Sequence, residues 1–287
     1  MARTLEPYQL VERSIITKYR KVLWNPFIEA VKRYEMIQPG DRIAVCISGG
    51  KDYMLLAKLM QQLQKHSDFP FELVFLVMDP GYNELNRRKI ESNAALLNIP
   101  VTIFESDIFE VADSAGKSPC YLCARMRRGY LYSRAQELGC SKIALGHHFN
   151  DVVETTLISM FYGSQLQAML PKLHSTNFEG MTLIRPLYCV HEDDIIAWAR
   201  DNSLEFIQCA CRLTERSAAD TGDVNVSKRK EIKLLLRRLR QGNPNIEKSI
   251  FNSIHAVALD TMPGFKTGGV EHSFLERFNA MESTEDE

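Results

Sequence analysis

The sequence predicts an α/β protein whose core is a doubly wound parallel sheet of five strands. Short apolar runs of strand length alternate along the chain with longer segments whose apolar residues recur at helical spacing. This alternation is typical of parallel strands joined by right-handed crossover helices, which cover both faces of the sheet. The predicted strands are residues 42–47, 72–78, 101–104, 142–146 and 182–187.

The first segment, residues 8–36, is predicted to be a helical extension that ends at Pro39 and Gly40, before the first strand. Helices are predicted between the strands at residues 53–64, 84–97 and 125–138. A further strand is expected at 205–208. In a sheet of this kind, ligands bind beyond the carboxyl ends of the strands.

After Arg212 the chain reads as mostly helical, with a basic stretch at 228–240 and an acidic tail, 282–287, that is expected to be disordered. We therefore divide the chain into an N-terminal helical extension at 1–38, a nucleotide-binding domain at 39–212 and a C-terminal helical region at 213–287.

Composition excludes some classes of protein. The chain has 287 residues, of which 45% are hydrophobic and 25% charged, and no apolar run approaches the roughly 20 residues of a membrane span. The N-terminus carries charges and a proline where a secretory signal needs an apolar stretch, so we expect a cytoplasmic protein without membrane association. The net charge of -1 does not by itself indicate a nucleic-acid partner, although a local basic face can bind phosphates.

A glycine pair follows the first predicted strand, in the sequence Ser48-Gly49-Gly50-Lys51-Asp52. Glycines between a strand and a helix let backbone N–H groups converge on one point, where the helix N-terminus adds partial positive charge. Lys51 and Ser48 can bind phosphate oxygens, and Asp52 can hold a magnesium ion that bridges phosphates. The loop therefore predicts ATP with Mg²⁺, and its lysine spacing differs from that of a Walker loop.

Residues at the ends of other strands are candidates for the same site. Asp79 ends the second strand and is a candidate for contact with ATP or magnesium, or equally a turn residue before Pro80. His147 and His148 follow the fourth strand, where the nucleotide is expected, with packing as the alternative.

Seven cysteines in a reducing compartment suggest metal binding, catalysis or core packing rather than disulfides. Cys120 and Cys123 are spaced to converge on one metal or cluster just before the helix predicted at 125, and redox catalysis is the alternative. Cys209 and Cys211 follow about 90 residues later. With no evident fourth partner, three thiolates with an open position are favoured over a closed zinc site, while Cys46, Cys140 and Cys189 fit the core.

Five motifs in order resemble the tRNA-cytidine 2-sulfurtransferase family, a group of ATP pyrophosphatases with a pyrophosphate (PP) loop. The similarity runs from about residue 30 to 212. The motifs are Ser48 to Asp52, the cysteine motif at 119–129, the segment 142–148 that ends in Gly146-His147-His148, the pair Asn150-Asp151, and residues 160–163.

The resemblance implies a Rossmann-like adenine nucleotide alpha hydrolase fold with ATP, Mg²⁺ and a 4Fe-4S cluster. Cys120 and Cys123 carry over as cluster ligands, with Cys211 as the third ligand and Cys209 as its fallback. Tyr53 stands where the family usually has serine, and Asn150 where it commonly has aspartate, which leaves Asp151 as the carboxylate. The residues that the resemblance places around the nucleotide are Ser48, Gly49, Gly50, Lys51, Asp52, Tyr53, Asp79, Gly146, His147 and Asp151.

The implied reaction is thiolation of a cytidine in the tRNA anticodon loop, at position 32. The base would be adenylated at its C2 oxygen, and sulfur delivered on the cluster would then replace that oxygen to give 2-thiocytidine. The implied partners are tRNA, a sulfur donor such as a cysteine desulfurase, and a second copy of the chain. Arg125, Arg127 and Arg128 are candidates for tRNA contacts or a solvated helix face, as are Lys228, Arg229, Lys230, Lys233, Arg237, Arg238 and Arg240.

Other functions remain open at this point. An enzyme with the same loop can adenylate another substrate, as a 2-thiouridine synthetase or a small-molecule amidotransferase or ligase does. The 2-thiouridine branch bears terminal zinc fingers, and this chain has no cysteine before Cys46 or after Cys211. A nucleotide-binding redox sensor without catalysis is the alternative from a different class, and Tyr53 in the loop is compatible with it.

Overall fold

A computed structural model of the chain describes residues 5–106, 108, 119–207 and 228–285. Side chains are described in these ranges except at 119–125 and 281–285. The chain divides into two compact units, Met1–Lys233 and Leu234–Glu287. The larger unit contains the sheet and the residues that the sequence predicts around the nucleotide.

Six strands form the sheet of the larger unit: β1 (Arg42–Ile47), β2 (Glu72–Asp79), β3 (Val101–Glu105), β4 (Lys142–Ala144), β5 (Lys172–His174) and β6 (Thr182–Ile184). Their order is β3-β2-β1-β4-β6-β5, and the first five strands in this order are parallel. The order reverses at β1, so its carboxyl end is a switch point of the kind where ligands bind. The predicted doubly wound parallel core is confirmed.

The edge strand β5 is absent from the prediction and runs antiparallel to β6. It has three residues, which is too few to show a periodic pattern, and its pairing with β6 comes from tertiary contact. The fourth and fifth predicted strands are also shorter than expected, since β4 ends at Ala144 and β6 at Ile184. The residues beyond these ends are therefore available to build a site.

Helices cover the sheet: α3 (Lys51–His66), α4 (Glu84–Leu96), α5 (Pro119–Glu137), α6 (Phe149–Gly163) and α7 (Glu192–Asp201). The apolar stripe predicted for α3 packs into the core, with Leu55, Leu56, Leu59 and Met60 fully buried. The helix α5 begins at Pro119, six residues earlier than expected, because proline is well suited to the first position of a helix. Cys120 and Cys123 therefore lie within the first turns of α5 and not before it.

The N-terminal extension consists of α1 (Pro7–Ile16), a π-helical turn (Arg20–Trp24) and α2 (Asn25–Arg33). The contact of α1 with α3 includes a buried charge, Lys58, whose ammonium group donates to Glu12 Oε1 at 2.8 Å and to the carbonyl of Leu97 at 2.8 Å. These bonds tie the extension to α3 and to the residue that follows α4.

Three further elements and a hairpin lie near the C-terminus: α8 (Lys228–Gly242), α9 (Ile246–Ser253), α10 (Phe274–Glu285), and β7 (Gly264–Thr267) paired antiparallel with β8 (Val270–Ser273). The helix α8 crosses the division between the units. The hairpin was not predicted, although Gly268 and Gly269, both with positive φ, provide its two-residue turn.

The strand predicted at 205–208 is wrong for the residues that the structure describes. Residues 205–207 have no regular structure, and Gln208 lies outside the described residues. The Asn93 side chain donates a hydrogen bond to the carbonyl of Glu205, which thus has a partner without pairing to another strand. The helix α10 continues to Glu285, the last residue described, and the expected disorder of the acidic tail stays a prediction. In the described part of the chain, the helices are too short or too polar to cross a lipid bilayer.

Candidate functional site

The predicted phosphate loop joins β1 to α3, and its backbone depends on glycine. Gly49 has a φ of +81°, in the left-handed region that favours glycine. A Cβ at Gly49 would lie 2.5 Å from Ile90 Cγ1 and 2.7 Å from Ile207 Cδ1. Gly50 has extended backbone and precedes the first residue of α3. The loop can therefore approach an anion closely at the start of a helix, where free N–H groups favour negative charge.

Lys51 and Asp52 form the first turn of α3 and are held together at the loop. The Lys51 ammonium group lies 3.0 Å from Glu192 Oε1 and 3.2 Å from Asp52 Oδ2. Burial would lower the pKa of Lys51, but Asp52 and Glu192 outweigh it and raise the pKa. The buried Oδ1 atom of Asp52 accepts no hydrogen bond among the described residues, although it lies 3.1 Å from Lys51 Nζ. Lys51 is thus a fixed cation, and Asp52 Oδ1 can serve a further cationic ligand beside it.

His148 and Asp151 cap the N-terminus of α6, the helix that follows β4, the strand next to β1. The Asp151 carboxylate accepts from the His148 N–H at 3.1 Å, and His148 Nδ1 accepts from the Asp151 N–H at 3.4 Å. The other ring nitrogen, Nε2, lies 3.9 Å from Asp52 Oδ1. The start of α6 and the start of α3 therefore meet at the same end of the sheet, as the parallel arrangement predicts.

Two cations from the start of α8 form ion pairs with carboxylates around Lys51, Asp52 and His148. Lys233 Nζ lies 3.0 Å from Glu192 Oε2 and 3.6 Å from Glu154 Oε1. The Arg229 guanidinium lies 3.3 Å from Asp151 Oδ1 and 3.6 Å from Glu154 Oε2. We call the set the carboxylate cluster; its acidic members are Asp52, Asp151, Glu154 and Glu192.

Two carboxylates of this cluster, Glu192 and Glu154, have pKa values shifted in opposite directions. Burial would raise the pKa of Glu192, but Lys51, with His148 and Lys233, lowers it to about 2. Burial raises the pKa of Glu154 to about 7 despite Lys233 and Arg229, and its Oε2 accepts no hydrogen bond in the described part of the chain. One carboxylate is therefore always ionised, while its neighbour can take up a proton near neutral pH.

A cavity of about 400 Å³ opens on the other side of the loop, at the carboxyl ends of β1, β2 and β4. Ser48 and Tyr53 form the wall nearest to the loop. The described residues that line the cavity are Cys46, Ile47, Ser48, Tyr53, Met78, Arg127, Arg128, Leu131, Leu145, His147, Met169 and Arg185. This lining includes three arginines and no carboxylate, so the cavity favours an anion with an apolar part.

Arg185 is the most deeply placed of these cations. It is 8% exposed, donates from Nη1 to the carbonyl of Leu170, and has an Nε without a hydrogen-bond partner among the described residues. Burial lowers its pKa to about 10, which leaves it charged at neutral pH. Burial and Arg185 together lower the pKa of His147 to about 4, so the His147 ring is neutral. A phosphate group in this cavity would meet a fixed positive charge and unsatisfied donors.

Asp79 lies at the end of β2, but its oxygens are already used. Oδ1 accepts from the N–H groups of Gly81 at 2.9 Å and Tyr82 at 2.7 Å, and Oδ2 accepts from Arg87 at 3.0 Å. This geometry is that of a turn residue with an ion pair, which is the second of the two interpretations that the sequence left open.

Comparison with known proteins agrees with this geometry. Residues 17–214 match the PP-loop domain family. A tRNA-cytidine(32) 2-sulfurtransferase of Geobacter metallireducens is 35% identical over 241 residues, which cover 83% of this chain and 90% of that protein. The chain belongs to the tRNA-cytidine(32) 2-sulfurtransferase family. Members from Alkalilimnicola ehrlichii and Neisseria meningitidis are 38% and 41% identical, over 79% and 67% of this chain and 70% and 61% of those proteins.

The fold of this 2-sulfurtransferase is similar to that of the U34-tRNA thiolase NcsA from Methanococcus maripaludis, whose structure was solved with its 4Fe-4S cluster. The TM-score is 0.62 at 18% identity, and the match covers 84% of this chain and 80% of that chain. At this level of identity the likeness concerns the fold. The family resemblance and the fold class inferred from the sequence are confirmed.

Two residues that set this 2-sulfurtransferase apart from the family pattern have definite places. Tyr53 packs its ring against the backbone at Gly146, where a Cβ would lie 3.1 Å from the ring, and forms part of the cavity wall. Asn150 is buried, and its Oδ1 accepts from the N–H of Glu192 at 2.9 Å. Asn150 thus positions the residue that holds Lys51, a role that needs an acceptor and no charge.

The cysteines fall into two groups in this 2-sulfurtransferase. Cys46 and Cys140 are buried in the core and Cys189 is partly buried, and burial raises the pKa of all three thiols. The core role predicted for them fits this burial. Cys120 and Cys123 lie three residues apart on α5, but their side chains are outside the described residues, as are Cys209 and Cys211.

Sequence reasoning missed Glu154, Glu192 and Arg185, and assigned Arg229 and Lys233 to a phosphate-binding stripe. A signal existed for two of them: Glu154 lies one helical turn after Asp151, and Arg185 interrupts an apolar run at the end of a strand. Glu192 and the two α8 cations reach the loop through tertiary packing, for which spacing along the chain gives no sign.

Proposed function

We propose that this protein activates cytidine 32 of a tRNA with ATP and replaces its C2 oxygen by sulfur. The observation that carries the proposal is a phosphate loop that holds a fixed cation, Lys51, and borders at Ser48 on a cavity lined by three arginines. A nucleotide whose phosphates lie at the loop can extend its remaining part into this cavity.

The residues at the loop fit ATP and Mg²⁺. The missing Cβ at Gly49 leaves room for the backbone to turn around phosphate oxygens, and Lys51 is charged. The unsatisfied Oδ1 of Asp52 suits Mg²⁺, which proteins usually bind through one or two carboxylates together with phosphate oxygens. Ser48, Gly50, Tyr53, Gly146, His147 and Asp151 are proposed to surround the nucleotide, and Asp79 to act indirectly by fixing the turn at Gly81 and Tyr82 after β2.

The proposed first step joins the C2 oxygen of cytosine to the α-phosphorus of ATP, and the bond from that phosphorus to pyrophosphate breaks. Lys51 stabilises the charge that grows on the departing pyrophosphate, and Asp52 would hold a magnesium ion that supplies further positive charge there. AMP then leaves with the former C2 oxygen as sulfur bonds to C2. Arg127, Arg128 and Arg185 can hold the phosphate of AMP during this exchange, and the neutral His147 ring can accept or donate a hydrogen bond there.

A 4Fe-4S cluster held by Cys120, Cys123 and Cys211 would supply sulfur in transferable form when bound. Thiolate donors are the ligands that such clusters require, and Cys120 and Cys123 lie three residues apart in the sequence of α5. Cys209 is the fallback for the third ligand. Further partners that we propose are a sulfur donor such as a cysteine desulfurase and a second copy of the chain.

The test is anaerobic purification followed by iron and sulfide analysis of the wild type and of single alanine variants. Cys120→Ala, Cys123→Ala and Cys211→Ala should lose the cluster, and Cys189→Ala is the matched control that should keep it. Loss from Cys209→Ala with retention in Cys211→Ala would overturn the third-ligand assignment.

Product analysis tests the substrate. Incubation of the purified protein with ATP, sulfide and tRNA from cells that lack the gene should produce 2-thiocytidine and one pyrophosphate per modified base. ATP turnover by an iron-free protein without any thiolated nucleoside would instead indicate adenylation of another substrate.

A further inference from the structure

The end of α6 and the loop after it expose a dense run of apolar side chains. We call this surface the aromatic rim; its members are Met160, Phe161, Tyr162, Leu166 and Leu170. Phe161 has 54% of its surface exposed. Exposed large apolar residues are normal when scattered, but five within eleven residues form a patch of the kind that marks a binding surface.

The end of the aromatic rim at Leu170 adjoins the cavity beside the phosphate loop. Met169 lines that cavity, and its carbonyl accepts from the Tyr188 hydroxyl at 2.9 Å. The next carbonyl, of Leu170, accepts from Arg185, which lines the cavity as well. Two buried side chains therefore fix the end of the loop at the cavity wall, and a ligand that extends out of the cavity can continue onto the rim.

The charges around the aromatic rim suit a polyanion. Residues 155–178 contain no aspartate or glutamate, although the chain has 36 acidic residues. The Lys228 ammonium lies 4.8 Å from the centroid of the Tyr162 ring, a cation–π contact, and Glu231 hydrogen-bonds the Tyr162 hydroxyl. These contacts hold the Tyr162 ring in place. Arg127 and Arg128 supply further positive charge at the cavity.

We propose that the aromatic rim stacks unpaired bases of the RNA whose reacting base enters the cavity. Aromatic side chains beside cations are the chemistry that recognises single-stranded RNA, because each base offers a flat face and each phosphate a negative charge. A surface that binds only protein would need the apolar area but not the ring faces or the cations. The proposal rests on the proposed function, since it assumes an RNA substrate.

The test measures binding of an RNA hairpin with an unpaired, cytidine-containing loop by fluorescence anisotropy. Phe161→Leu keeps an apolar side chain but removes the ring face, and should weaken binding by about 5- to 150-fold. Phe161→Trp restores a ring and should keep the wild-type affinity. Phe274→Leu makes the same chemical change at another exposed phenylalanine in α10 and should leave binding unchanged.

The outcomes separate this inference from the proposed function. Equal affinity of the wild type and Phe161→Leu for the hairpin overturns the stacking role and leaves the proposed function standing. A wild type that binds no RNA overturns both. Light scattering on the same samples shows whether Phe161→Leu alters the oligomeric state; a change there without a change in RNA affinity would assign the rim to contact between copies of the chain. Equal thermal stability of Phe161→Leu and Phe161→Trp shows that folding is not the cause of a difference.

Discussion

The properties of the site are set by single atoms at the phosphate loop. A missing Cβ at Gly49, one unsatisfied oxygen on Asp52 and one ammonium group on Lys51 determine what the loop can bind. Each of these can be changed by a single substitution, so the residue scale offers the sharpest tests.

Gly49→Ala should destabilise the protein by about 2–4 kcal/mol, because the new Cβ meets Ile90 and the residue keeps a positive φ. Gly180 also has a positive φ, +74°, but has nothing within 4 Å of an added Cβ. Gly180→Ala therefore carries only the backbone strain, about 1 kcal/mol. Chemical denaturation of both variants measures the difference, and equal losses would show that the contact at Ile90 relaxes freely.

Lys51→Met should reduce pyrophosphate release by about 100- to 1000-fold, since it removes a fixed cation at the departing phosphates. Lys266→Met is the control, because Lys266 forms an exposed ion pair with Glu271 in the β7–β8 hairpin. Pyrophosphate release with tRNA under saturating ATP is the measurement. Comparable rates for the two variants would remove Lys51 from the chemistry.

Glu154→Gln should change how stability depends on pH. The pKa of Glu154 is raised from 4.5 to about 7 in the folded protein, so protonation of this group favours folding at low pH. That contribution is complete below about pH 4.5 and is lost as pH rises through about 7, and amounts to at most about 3 kcal/mol. Denaturation of both proteins between pH 4.5 and 8 should show a steeper decline for the wild type. Parallel curves would mean that Lys233 and Arg229 keep Glu154 ionised.

At the scale of elements, the buried pair of Lys58 and Glu12 connects the N-terminal extension to the core. The Lys58 side chain is fully buried, and burial lowers its pKa although Glu12 opposes this. Glu12→Ala should cost about 3–5 kcal/mol, since it leaves a buried ammonium group with fewer partners. Glu29→Ala breaks the exposed pair with Arg33 and should cost under about 1 kcal/mol. Thermal unfolding measures both, and a small loss for Glu12→Ala would show that Lys58 is neutral or solvated.

The parallel strands could be predicted from the sequence because each is a continuous apolar run, and α3 because its apolar stripe is regular. The short strand β5 and the irregular segment 205–207 could not, since three-residue segments take their structure from their neighbours. The start of α5 was placed too late, although Pro119 was an available signal for it.

Part of the candidate site could likewise be predicted from the sequence and part could not. Ser48 to Asp52, His147 and Asp151 lie next to strand ends and so share one edge of the sheet, which the topology alone implies. Glu192 reaches Lys51 from a helix 141 residues away in sequence, and Lys233 in turn pairs with Glu192. No pattern of neighbouring residues in the sequence predicts such a contact, because the ion pair forms only through the packing of distant helices.

At the scale of the whole molecule, charge is balanced overall and concentrated locally. A net charge of -1 gives little long-range attraction for RNA, so binding depends on cationic patches. Arg229 and Lys233 form ion pairs with carboxylates, whereas Arg237 and Arg238 are exposed on α8.

Replacement of both Arg237 and Arg238 by glutamine should lower the slope of log affinity against log salt by up to about 2 for tRNA, if each arginine contacts one phosphate. The double variant Lys21→Gln and Lys32→Gln removes two exposed cations from the N-terminal extension and is the control. Titrations between 50 and 300 mM salt, on the order of the range where counterion release is measurable, give the slopes. An unchanged slope would exclude this part of α8 from RNA contact.

The packing of Tyr53 on Gly146 limits the order in which these two positions can change during evolution. With tyrosine at 53, any side chain at 146 would meet its ring at 3.1 Å and the backbone of Asp52 at 3.3 Å. With serine at 53 the ring is absent, so alanine at 146 meets only the backbone contact. The two substitutions are therefore epistatic: Tyr53→Ser has to precede Gly146→Ala, and a double-mutant cycle should give a coupling of about 1–3 kcal/mol in favour of the pair.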